Sequence, residues 1–78
     1  MIIIFNSEIF GHKLRDLRKK CHVSQKVLAA QIGVSVYSIR GWESGRLEPQ
    51  LHPQTLQQLC QALDTTPEQL SGNPPTEG

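Results

Sequence analysis

Every lysine and arginine of this 78-residue chain falls between Lys13 and Arg46: Lys13, Arg15, Arg18, Lys19, Lys20, Lys26, Arg40 and Arg46. Only Asp16 and Glu43 oppose them in that stretch, whereas the flanks carry Glu8, Glu48, Asp64, Glu68 and Glu77 and no basic residue. The formal net charge of +1 therefore averages a basic half with an acidic one. Such a division is expected of a local surface that faces a polyanion. Within the basic stretch, Val36, Tyr37 and Arg40 place two methyls, a phenol hydroxyl and a guanidinium within little more than one helical turn. Together they offer apolar contact, one hydroxyl and one planar fork for bidentate hydrogen bonding.

No set of residues competes with these on behalf of catalysis. The chain has no Gly-Lys loop to cradle a phosphate, no zinc motif, no serine nucleophile elbow and no acidic pair on one helical face. The expectation is a protein that is not an enzyme and has no cofactor and no metal. His12, His22 and His52 lack metal-ligand spacing with one another or with the cysteines and read as solvated. Cys21 and Cys60 are too few for a disulfide framework and read as small buried apolar residues. With no export signal visible, a reducing, cytoplasmic setting is expected. The apolar run Ile2 to Phe5 is far too short to cross a bilayer, so no membrane partner is expected either.

The elements that must position these side chains are helices. Asn6 or Ser7 can cap a first helix, with Phe10, Leu14, Leu17 and Cys21 recurring at helical spacing and Glu8 near its positive end. Gly11 within it is a liability of about 1 kcal/mol relative to alanine. Ser24 caps a second helix, whose stripe is Val27, Leu28 and Ile32 and whose Ala29 and Ala30 allow close approach. Gly33 ends that helix by taking positive φ, and Ser35 caps a third over residues 35–44, with Ile39 and Trp42 inward and Gly45 as its stop. Val36 and Tyr37 fall on the outer side. Arg46 to His52 reads as a loop. Pro53 begins a fourth helix built on Leu56, Leu59, Cys60 and Leu63, with glutamines on its polar face. Thr66-Pro67-Glu68-Gln69 matches a capping box and opens a short fifth helix through Leu70. No sustained period-2 alternation appears, which predicts an all-α fold of five helices.

Ser24 to Gly45, SQKVLAAQIGVSVYSIRGWESG, is the informative stretch. Two helices follow each other across a Gly-centred turn too short for an antiparallel return, so they must cross steeply, as in a helix-turn-helix. The combination of Leu14 to Arg18, Ser24-Gln25, Leu28-Ala29, Gly33-Val34-Ser35, Ile39, Trp42-Glu43-Ser44-Gly45, Pro49 and Ala62-Leu63 resembles the phage repressor and Cro-like helix-turn-helix domains, the XRE family. The resemblance runs from about Phe10 to Leu70.

That resemblance implies a compact lambda-repressor-like bundle that binds double-stranded DNA as a transcriptional regulator, in a bacterial or phage setting, the second helix of its bihelical unit, about residues 35–44, lying in the major groove. It implies base contacts from Val36, Tyr37, Arg40 and Gly41. Phosphate contacts would come from Ser24, Gln25, Lys26, Ser35, Ser44 and Arg46, and Arg18 with Glu43 would form a structural ion pair. The sequence departs from the family at Lys26-Val27, where an acidic residue usually completes a capping box. It departs again at Gly41, where a longer polar side chain often reaches a base, and in a loop after Pro49 two residues longer than usual.

Residues 1–7 read as an apolar arm, 8–71 as the domain and 72–78 as a tail or linker. Ile2 to Phe5 could cap the core, add a strand or serve a dimer interface. The expected assembly is a two-fold homodimer on a palindromic operator. The near-neutral total charge and the apolar head favour a competing reading, a protein-interaction module on the same fold such as the antitoxin of a toxin–antitoxin pair.

Overall fold

Among the described residues, four of the five helices begin at a side chain that accepts a hydrogen bond from the first turn. The computed structural model describes residues 3–71; the expected tail at 72–78 lies outside them. Asn6 accepts from Ile9 N at 3.1 Å and opens α1, Ser7–Lys20. Ser24 accepts from Val27 N at 3.1 Å and opens α2, Gln25–Ile32. Ser35 accepts from Ser38 N at 3.2 Å and opens α3, Val36–Ser44. Pro53, with no side-chain cap before it, opens α4, Pro53–Leu63. Thr66 accepts from Gln69 N at 3.3 Å and opens α5, Pro67–Leu70. Each bond satisfies a donor that the helix start leaves without a partner. The Thr66 box is only half closed, because the Gln69 side chain accepts from Thr65 Oγ1 at 2.6 Å.

One core gathers all five helices. Phe10 and Leu14 of α1 meet Leu28, Ala29 and Ile32 of α2, Ile39 and Trp42 of α3, Leu56, Leu59, Cys60 and Leu63 of α4, and Leu70 of α5. Two members of the expected α2 surface lie elsewhere: Val27 is 49% exposed and Ala30 is also exposed. At 100° per residue the inward arc of this short helix centres on Leu28, Ala29 and Ile32, which turns Val27 off its edge. Burial pushes the Cys60 thiol above its usual range, and the charge of Glu68 pushes the same way. Cys21 and Cys60 are both free, and the Cys21 thiol donates to Leu63 O at 3.4 Å.

Residues 3–5 belong to the fold. Ile3–Ile4 forms β1, paired antiparallel with Gln50–Leu51 as β2, Ile3 opposite Leu51 and Ile4 opposite Gln50. Phe5 N donates to Pro49 O at 3.2 Å, and the Phe5 ring enters the core beside Phe10 at a centroid distance of 4.9 Å. Ile3 and Ile4 thus add a strand, with Ile4 still 60% exposed, and Phe5 alone joins the core; Ile2 lies outside the described residues, and the segment expected as plain loop after Arg46 carries half of this small ladder. Two residues per strand leave the class all-α.

Candidate nucleic-acid interface

The site begins at a close approach between α1 and α3. A Cβ built on Gly11 would stand 2.5 Å from the Trp42 carbonyl oxygen and 3.0 Å from that of Glu43. Only a glycine lets α1 lie against the α3 backbone, so the residue that looks like a helix defect is what seats α3. On either side of it the Phe10 ring meets Trp42 edge-on, at 6.0 Å and 87°.

Between α2 and α3 the chain turns at Gly33, whose φ of 73° and ψ of 32° lie in the left-handed region. Val34 N donates back to Ala29 O at 3.0 Å, and Ser35 is already extended before α3 starts. The turn therefore fixes the two axes against each other. Gly45, φ 79°, ends α3 in the same manner.

A continuous polar relay then ties the inner side of α3 to its outer side. Arg18 Nε donates to Glu43 Oε2 at 2.7 Å and Nη2 donates to Glu43 Oε1 at 3.0 Å, a bidentate ion pair between α1 and α3. A third donor, Nη1, goes to Val23 O at 2.9 Å. The side chains are 12% and 5% exposed, and the hydrogen bond to Glu43 raises the Arg18 pKa further. Gln25 Nε2 donates to Glu43 Oε1 at 3.1 Å while Gln25 Oε1 accepts from Arg40 Nε at 3.3 Å. The Arg40 guanidinium carbon in turn stands 6.0 Å from the centroid of the Tyr37 ring. Arg40 is thus aimed by Gln25 and Tyr37, with its two terminal nitrogens without a partner among the described residues. A groove of about 420 Å³ follows this relay, lined by Arg15, Arg18, Ser24, Gln25, Arg40, Glu43 and Ser44.

The residues expected to meet bases do not all share one environment. Tyr37 is 74% exposed and Arg40 is exposed beside it. Val36, expected on the outer side, is half-buried against the core, because it stands three residues before Ile39 and so lies at the edge of the inward face. Gly41 differs most from expectation: it is buried, and the side chain of Leu47 occupies the space above it. Of the residues expected near phosphates, Ser24, Lys26, Ser35, Ser44 and Arg46 are exposed, and Gln25 is half-buried within the relay. Ser24 and Ser35 spend their hydroxyls as helix caps, and Ser44 Oγ donates to Gly41 O at 3.2 Å. What sequence reasoning missed is Leu47. Its only sequence signal is Gly41 on α3, six residues earlier.

The chain belongs to the helix-turn-helix domain family, whose match covers residues 9–71. Among its relatives, repressor protein C2 of Salmonella phage P22 is 34% identical over 65 residues, 83% of this chain and 29% of the repressor. The chain therefore spans less than a third of that relative's length. The crystal structure of the P22 c2 repressor with synthetic operator 9T superposes with a TM-score of 0.68 and 34% identity, over 78% of this chain and 89% of that one. The restriction-modification controller protein C.AhdI from Aeromonas hydrophila gives 0.68 and 32% identity, over 80% and 91%. Hydroxypropylphosphonic acid epoxidase from S. wedmorenis gives 0.71 and 25% identity, over 90% of this chain but only 35% of the enzyme. The same fold thus occurs both as most of a small regulator and as a minor part of an enzyme.

Proposed function

We propose that this chain binds double-stranded DNA sequence-specifically as a transcriptional regulator of repressor type, with α3 in the major groove. The observation that carries the reading is the exposed pair Tyr37 and Arg40 on an α3 held rigid from behind by Glu43, Arg18 and Gly11. Arg40 offers its terminal nitrogens to guanine O6 and N7, and Tyr37 its ring and hydroxyl to the neighbouring base edge. Ser24, Gln25, Lys26, Ser35, Ser44 and Arg46 flank phosphates, the free N–H groups at the start of α2 adding donors and dipole. Val36 contributes an apolar edge at the groove wall.

Two copies related by a two-fold axis would set their α3 helices in successive major grooves, about 34 Å apart, on a palindromic operator. The relatives support this reading: P22 C2 is a repressor and its solved structure holds an operator. We read the domain as a binding module without catalytic activity, in a cytoplasmic setting. Among the described residues no helix is long and apolar enough to cross a membrane.

Titration against duplex DNA at two salt concentrations tests the proposal. Affinity should fall steeply as salt rises, with a log–log slope of about −0.9 per phosphate neutralised. A chain that binds no duplex even at low salt, or binds with no salt dependence, overturns it.

A further inference from the structure

Tyr37, Arg40, Gly41 and Ser44 stand at positions i, i+3, i+4 and i+7 of α3, one straight stripe along its outer face. Gly41 is the gap in that stripe. The gap is filled from outside the helix: a Cβ at Gly41 would lie 2.5 Å from Leu47 Cδ1, 2.9 Å from Cγ and 3.0 Å from Cβ. Leu47 N also donates to Gly41 O at 3.1 Å, so the backbone that carries this leucine is hydrogen-bonded to the residue it covers. The turn at Gly45 brings the chain back far enough for that bond. Leu47 nevertheless remains 45% exposed. One side of its isobutyl group is packed on α3, and the rest is exposed in a surface it shares with Arg40 and Arg46. These residues line a largely apolar groove of about 550 Å³ with Tyr37, Gly41 and Ser44.

An apolar side chain gains nothing from a phosphate. In the major groove the one apolar group that marks a base edge is the C5 methyl of thymine. We propose that Leu47 is a specificity-determining residue, seated on Gly41 so that its exposed face packs against a thymine methyl next to the base read by Arg40. The inference rests on the reading of α3 as the base-facing helix. The loop after α3 thereby supplies the side chain that α3 itself lacks, and Gly41 is the residue that makes room for it.

The experiment starts from duplexes selected by the full chain from a random pool. Each thymine of the selected site is replaced in turn by deoxyuridine, which removes the methyl and leaves base pairing intact. Binding is measured for the parent chain and for Leu47→Ala, with melting curves to show that both are folded. At one thymine, loss of the methyl should weaken the parent about fourfold, the worth of one buried methyl group, and should leave Leu47→Ala unchanged. Gly41→Ala, which displaces Leu47 instead of removing it, should lose the same methyl sensitivity. The proposal is overturned if the parent is indifferent to every such replacement, if the selected site contains no thymine, or if Leu47→Ala keeps the full methyl effect. Salt-dependent, sequence-selective binding without a Leu47-dependent methyl effect refutes this inference alone. Absence of duplex binding refutes the reading beneath it.

Discussion

The two sides of α3 are built to opposite standards. Inward, Ile39, Trp42 and Glu43 are held by packing, by a backbone approach that tolerates only glycine, and by a bidentate ion pair. Outward, Tyr37 and Arg40 are held by one long hydrogen bond and a ring contact, and one position of the stripe is borrowed from the following loop. The inner side fixes where the helix lies; the outer side is cheap to change.

Breaking the inner side should have the larger effects. Glu43→Ala leaves the half-buried Arg18 guanidinium without its carboxylate and also strips Gln25 of an acceptor. Removing one partner of this part-buried pair should destabilise the fold by about 1–3 kcal/mol; denaturant unfolding measures it, and an unchanged midpoint would mean the pair contributes nothing. Gly11→Ala comes next. Helix propensity alone predicts a gain of roughly 1 kcal/mol, but the new methyl meets backbone carbonyls that cannot rotate away. A net loss of about 1–3 kcal/mol is expected, and the sign of the shift in melting temperature decides between them.

Outer-side changes should separate binding from stability. Arg40→Ala should weaken duplex binding by about 1–3 kcal/mol while moving stability by less than about 0.5 kcal/mol, read by a binding isotherm beside a melt. Equal losses in both would erase the contrast between the two sides. Ser35→Ala is the smallest effect, about 1 kcal/mol of stability. It removes the acceptor of Ser38 N and a hydroxyl partner of Ser38.

Helix existence was legible because it rests on local signals. Ser24, Ser35 and Thr66 cap where their types predict, Gly33 and Gly45 stop helices by left-handed backbone, and the α4 stripe is buried throughout. The Arg18–Glu43 pair was legible only through family resemblance, since nothing local links residues 25 positions apart. What escaped was set by tertiary contact. The β1–β2 ladder is two residues long, too short for alternation to register. Gly11 read as a defect because its reason lies on another helix. Val36 read as outward because periodicity gives an angle and not the depth of its neighbours. Leu47 sits in a loop, where no period exists to read.

The pairing of Ile4 with Gln50, and of Phe5 with Pro49, gives the segment behind α3 a second tether. Leu47 is thus strung between two fixed posts, the Gly41 carbonyl on one side and the opening strand of the chain on the other. Ile4 and Phe5, more than 40 positions earlier in the sequence, consequently share in how still that leucine is held.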